Sequence, residues 1–223
     1  MGKTIKNRPE ILAPAGDMKR LVAAVRCGTD AVYLGTEDFN ARRNAVNFGE
    51  KELKEAVRYC HGRGVKVFVT LNTLILQNEA DLLARSIEKI AESGADALIV
   101  QDLAAASVAA KNFPELPLHA STQMAVHNVS GVLQLEDMGF KRAVLARELS
   151  AKEICKIGEG SSLELEIFVH GALCVCVSGQ CYLSSMLGGR SGNRGLCAQP
   201  CRLDFSCGDE HYALSLKDLS IIP

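Results

Sequence analysis

At 223 residues, with 48% hydrophobic and 23% charged side chains, the chain has the length of one packed α/β domain and too much apolar material for disorder or a fibrous class. Its formal charge of −1 supplies no global attraction to nucleic acid or an anionic membrane, so such a partner must be met by a local patch. The polar stretch Met1–Glu10 lacks the form of a secretory signal, and no run reaches the roughly 18 apolar residues of a membrane span; a cytoplasmic protein is expected.

The first apolar run, Ile11–Pro14, predicts a strand, and the amphipathic stretch Met18–Cys27 behind it predicts a helix that closes at Gly28. Ala31–Gly35 reads as a buried strand. The same unit recurs as helix Lys51–Arg63, Gly64 and strand Lys66–Asn72, then as helix Glu79–Ser93, Gly94 and strand Ala97–Gln101. Helix Leu103–Asn112 leads to strand Leu118–Ser121, helix Val129–Met138 with Gly139 to strand Ala143–Ala146, and helix Ala151–Ile157 to strand Glu164–Val169. A Gly suits the left-handed residue that ends a helix, and an unbroken apolar run suits a strand buried on both faces. Seven strands joined by helical crossovers imply a parallel sheet. The near-regular repeat favours an α/β fold of the incomplete TIM-type (β/α)8 barrel over residues 1–170, with an open doubly wound sheet as the alternative. Pro14-Ala15-Gly16-Asp17 stands where a dinucleotide fingerprint would follow the first strand, which weakens that reading.

After Val169 the rhythm breaks. Residues 171–207 form an irregular Gly-, Ser- and Cys-rich segment without helical period, and Leu203–Leu216 alternates like a two-strand ribbon around a Gly208-Asp209 turn. Residues 208–223 are expected to return to the barrel, with Ser215-Leu216-Lys217-Asp218-Leu219 as a strand end leading into a helix. A barrel ending there lacks its closing strand. The expectation is a piece of a longer protein, or an open edge covered by a partner or by self-association.

In a parallel barrel the functional face lies at the carboxyl ends of the strands. Glu37, Asn72, Thr73, Gln101, Asp102, Ser121, Gln123, Arg147, Glu148 and His170 fall there, with Arg42 and Arg43 in the loop after the second strand. Asp102 and Thr73 are as well explained as helix caps, the role expected of Asp17 and Ser150. Of nine Cys, six lie within 34 residues: Cys174, Cys176, Cys181, Cys197, Cys201 and Cys207. In a reducing compartment such clustering reads as metal binding before disulfides. The spacing of Cys174, Cys181, Cys197 and Cys201 admits zinc or an iron–sulfur cluster, and its width favours the cluster about two to one. Cys27, Cys60 and Cys155 sit in helical stretches, where buried structural thiols are expected. Arg190, Arg194 and Arg202 interleave with glycines and suit phosphate or carboxylate, with a solvated basic loop as the bland alternative.

Glu166-Ile167-Phe168-Val169-His170-Gly171-Ala172-Leu173-Cys174, Ser178-Gly179-Gln180-Cys181-Tyr182-Leu183-Ser184 and Cys197-Ala198-Gln199-Pro200-Cys201-Arg202 closely resemble the signature of peptidase family U32, the collagenase-like proteases. His119-Ala120-Ser121-Thr122-Gln123 and Leu145-Ala146-Arg147-Glu148-Leu149 look most like its ribosomal RNA cytidine hydroxylase subgroup. The resemblance implies oxygen-independent hydroxylation of ribosomal or transfer RNA, or of a quinone precursor. It further implies a 4Fe-4S cluster on Cys174, Cys181, Cys197 and Cys201, and a prephenate-like hydroxyl donor. Cys176 and Cys207 do not match and are expected to stand aside. On this reading Arg42, Arg43 and Arg147 would grip the donor's carboxylate, Arg190 and Arg194 would meet phosphates, and Asn72, Gln123, Arg147 and His170 would share a cavity. His170 and Glu148 would be the proton-transfer candidates. Proteolysis is the alternative, although no His-Glu-x-x-His or Gly-x-Ser-x-Gly motif is present. A non-catalytic RNA-binding or maturation factor with a structural metal site is the third.

Overall fold

A computed structural model describes residues 8–43, 46–213 and 218–220. Seven parallel strands lie in chain order: β1 (Leu12–Pro14), β2 (Ala31–Gly35), β3 (Lys66–Leu71), β4 (Ala97–Val100), β5 (Leu118–Ala120), β6 (Arg142–Val144) and β7 (Glu164–Glu166). Between them run α1 (Met18–Arg26), α2 (Glu50–His61), α3 (Ala80–Glu92), α4 (Leu103–Asn112), α5 (Val129–Asp137) and α6 (Ala151–Gly160). Asp17 and Ser150 cap α1 and α6 as expected, each accepting a backbone N–H of the first turn.

Strand periodicity sorts the sheet into two faces. Val32, Leu34, Val67, Val69, Leu98, Val100 and Ala143 face the helices and bury against Leu21, Leu53, Val57, Leu83, Ile87 and Ile90. The alternate residues face inward, where Ala31, Phe68, Ala97 and Ile99 pack with Leu12 and Tyr33. The sheet is curled: Glu10, just before β1, reaches Arg142 on β6 at 2.9 Å. Arg142 also pairs with Glu164 at 2.7 Å and Glu166 at 3.4 Å, so this inner charge is matched by carboxylates. Together these features make an incomplete TIM-like barrel, with strand carboxyl ends gathered at one rim. At the opposite end of the strands a cavity of about 380 Å³ is lined by Lys66, Phe68, His119, Lys141 and Arg142, among others. Burial, with help from Arg142, pushes the His119 pKa down to about 3, so its ring is neutral.

Past β7 the chain differs from its expected irregularity. β8 (His170–Ala172) follows, then a short helix α7 (Leu183–Gly188), and the ribbon β9 (Asp204–Cys207) and β10 (Glu210–Ala213) pairs antiparallel about Gly208-Asp209. β11 (Asp218–Ser220) pairs antiparallel with β8. Ser215–Lys217 lie outside the described residues. Of the three helical thiols, Cys60 is buried as expected, while Cys27 and Cys155 are exposed because they fall on the outer faces of α1's end and α6. Among the described residues no helix is long and apolar enough to cross a membrane.

Candidate metal centre on the barrel rim

The thiol-rich segment is fastened to the rim by polar keys. Ser178 is fully buried. Its N–H and Oγ–H donate to Glu148 Oε1 at 2.7 and 3.1 Å, and Arg147 donates to its Oγ from N and Nε at 3.4 and 3.2 Å. Gly179 follows with φ +72, and a Cβ there would stand 2.1 Å from the Gln123 carbonyl oxygen. Only glycine lets the backbone approach this closely.

A second key lies further along. Arg194 grips Glu79 through two contacts of 2.9 and 2.5 Å and donates to Leu74 O, while Asn193 O accepts from Leu74 N–H. A Cβ on Gly195 would fall 2.1 Å from Asn40 O.

On either side of these keys and between them, Cys174, Cys176, Cys181, Cys197 and Cys201 are all free thiols. Burial raises the Cys201 pKa, and the thiols of Cys174, Cys197 and Cys181 raise it further against the pull of Arg202. Cys176, expected to stand aside, is coupled to the Cys181 thiol, and that influence together with burial and the nearby Cys174 and Cys201 raises its pKa too. The Gln199 N–H donates to Cys197 Sγ at 3.3 Å. Thiols that oppose one another's ionisation, on a segment without a carboxylate, form a donor set that a cation relieves. In that chemistry the residues fit a thiolate-held metal group. Among the described residues, no group of three or more His, Cys, Asp or Glu already stands at ligand spacing.

The other candidates are distributed around the same rim. Asn72 Oδ1 accepts the Ala41 N–H at 3.0 Å. Gln123 sits in a 3-10 turn over Thr122–Met124 and is partly buried. His170 opens β8 and is exposed. Arg42 faces the Tyr33 hydroxyl, whose pKa burial raises against the pull of the guanidinium. Arg43 lines a small rim cleft of about 40 Å³ with Asn40, Thr73, Glu79 and Arg194. Asn72, Gln123, Arg147 and His170 do not line that cleft. Arg194, expected at a phosphate, is held by Glu79, whereas Arg190 is exposed. Asp102 caps α4 through Ala104 N–H and also accepts Ile75 N–H.

Sequence reasoning passed over His127. Its Nδ1 lies 2.7 Å from Ala125 O and its Nε2 3.3 Å from Glu148 Oε2, so Glu148 serves both the imidazole and Ser178. Burial raises the Glu148 pKa, but its own backbone N–H, the Ser178 donors and Arg147 outweigh that and hold it below the usual carboxylate range. The position of His127 in the loop after β5, four residues past Gln123, was the available signal.

An α/β half-barrel with a thiol-rich flap keyed to its carboxyl-end rim defines the class of protein. Residues 16–223 match the model of peptidase family U32, and the chain belongs to that family. It is 42% identical over 220 residues to the 23S rRNA 5-hydroxycytidine synthase of Escherichia coli, covering 95% of this chain and 33% of the relative. The tRNA hydroxylation protein P of Helicobacter pylori is 40% identical over 201 residues, covering 89% and 48%. A protein named collagenase from Porphyromonas gingivalis is 35% identical over 235 residues, covering 96% and 56%. The chain thus spans a third to about half of the length of these relatives. Among solved structures, the U32 peptidase Mk0906 superposes with a TM-score of 0.64 at 18% identity, covering 77% of this chain and 73% of that one. It shares the fold.

Proposed function

We infer that this chain is the barrel and metal-binding part of an oxygen-independent RNA-base hydroxylase acting on ribosomal or transfer RNA. The observation that carries this reading is that the segment bearing Cys174, Cys181, Cys197 and Cys201, the last of them electrostatically coupled to the other three, is keyed to the rim through Arg147 and Glu148, in a chain whose relatives include named rRNA and tRNA hydroxylases. These four thiolates would hold a 4Fe-4S cluster, with zinc as the alternative. Such a cluster supplies electron transfer without oxygen.

The chain's own residues have separate tasks. An RNA base must leave its stack to reach the rim. Arg42 and Arg147 suit the carboxylate of a prephenate-like donor, since a guanidinium can grip that group with two parallel bonds. Glu148 carries charge at neutral pH and, with His127, offers a proton path at the rim; His170 is a further proton-transfer group. The sides of β1 and β7 that no strand pairs among the described residues suit self-association.

Mass spectrometry of nucleosides from cells lacking the full-length gene tests the reading. The hydroxylated base should vanish and return on complementation, and anaerobically purified protein should carry iron and acid-labile sulfide. Unchanged hydroxylation, together with collagen cleavage that is lost in His170→Ala, would establish the peptidase reading that the collagenase relative favours.

A further inference from the structure

Residues 167–203 contain three Arg, no Lys and no Asp or Glu, although the whole chain is nearly neutral. Two of those arginines are engaged: Arg194 on Glu79, and Arg202 on the Leu173 carbonyl oxygen. Arg190 is exposed and makes no ion pair among the described residues. It sits beside α7, its N–H donating to Ser184 O at 3.2 Å. That helix is bolted down by Ser184, which is 3% exposed and accepts the Ala198 N–H at 3.0 Å. Its outer side carries Tyr182, Met186 and Leu187, at 61%, 83% and 62% exposure. Tyr182 directly follows Cys181, and Ala198 directly follows Cys197. The knob is therefore fixed to two of the four candidate ligands.

An exposed aromatic face beside a free guanidinium, on a segment without a negative charge, matches what single-stranded nucleic acid requires. Bases stack on aromatic rings whatever their identity, and phosphates take the cation. We propose that the α7 knob is a docking surface for single-stranded RNA, with Tyr182 stacking a base that flanks the modified one and Arg190 holding the adjoining phosphate. This rests on the RNA reading above. It adds a residue-level interface that leaves the four ligand cysteines free for the metal group. Rigid placement beside Cys181 would bring the stacked nucleotide, and with it the target, to the rim.

The test is equilibrium binding of a fluorescein-labelled single-stranded RNA oligonucleotide to the full-length, anaerobically purified protein over a salt series. Tyr182→Ala should weaken binding about tenfold or more, while Tyr182→Phe, which keeps the ring, should bind within about twofold of the parent. Arg190→Ala should weaken binding for every sequence and lower the salt slope by about one. Iron content and circular dichroism equal to the parent's show that the variants are folded and loaded. Parent-like affinity in both Tyr182→Ala and Arg190→Ala would overturn the proposal. So would a loss that appears only in binding to a protein partner. Because binding needs no turnover, gene-dependent hydroxylation alongside an inert Tyr182 would sink the docking surface alone. Tyr182-dependent binding without gene-dependent hydroxylation would sink the enzyme reading alone.

Discussion

Between Leu12 and Glu166 the fully buried large side chains are apolar: Leu21, Leu53, Phe68, Leu83, Ile87, Leu98 and Phe140 are among them. Between Gly171 and Cys207 the buried side chains are instead Ser178, Ser184, Asn193 and Pro200, while Val175, Val177, Tyr182, Met186, Leu187 and Leu203 face solvent. The barrel holds itself by removing apolar area from water, at roughly 25 cal/mol per Å². The flap has no such core, so its position depends on a few directed hydrogen bonds and on whatever its thiols bind. A polar keyhole there takes the place of hydrophobic burial, and a metal group on its thiols would add to it, as in small metal-binding modules where ligand binding supplies folding energy.

The largest expected effect separates the two regions. Leu98→Ala removes a fully buried side chain from the middle of β4 and should cost about 2–5 kcal/mol, unfolding barrel and flap together in a denaturant titration. A loss under about 1 kcal/mol would mean that the helix-facing layer is not the main source of stability.

The barrel was legible because its signals are local. Helix closure at Gly64, where φ is +71, and the alternation of Val67 and Val69 with Phe68 can be read from a few neighbouring residues. The strand ends, and hence the rim positions of Asn72, Gln123 and Arg147, follow from the same periodicity. The flap's fastening was not legible, because its partners are distant in sequence: Ser178 and Glu148 are 30 apart, Glu79 and Arg194 115 apart. Cysteine spacing raises the expectation of a metal site without saying where it docks. An exposed arginine and a committed one look alike until, among the described residues, a carboxylate appears beside Arg194 and none beside Arg190. The exposure of Tyr182 likewise depends on Ser184 being the residue of α7 that turns inward.

An intermediate effect is expected at the keyhole. Ser178→Ala deletes the hydroxyl that Arg147 and Glu148 share, leaving part-buried donors and a charged acceptor short of a partner, at a cost of about 1–3 kcal/mol. The loss should be local. Amide exchange should rise across residues 171–207 and stay at parent levels in β3 and β4. Exchange rising equally in both regions would show that the flap and barrel form one cooperative unit.

The smallest effect lies at the second key. Glu79 and Arg194 keep about a quarter of their side-chain surface in water, so Glu79→Gln should cost only about 1 kcal/mol despite the paired contacts. Its pH dependence is nevertheless diagnostic. The Arg194 guanidinium, with the Leu76 N–H, holds the Glu79 pKa below its ordinary value against the opposing effect of burial. A carboxyl depressed in the folded state binds fewer protons there than in the unfolded chain. Its contribution is therefore complete above the ordinary carboxylate range and disappears as pH falls through the lower folded value. Glu148 has the same sign, so flap protection should fade on acidification below about pH 4 while β4 remains protected. In Glu79→Gln that acid-dependent loss should shrink to the share due to Glu148. If the mutant and parent lose protection over the same range and to the same extent, Glu79 does not hold the flap, and the Ser178 keyhole is its main attachment.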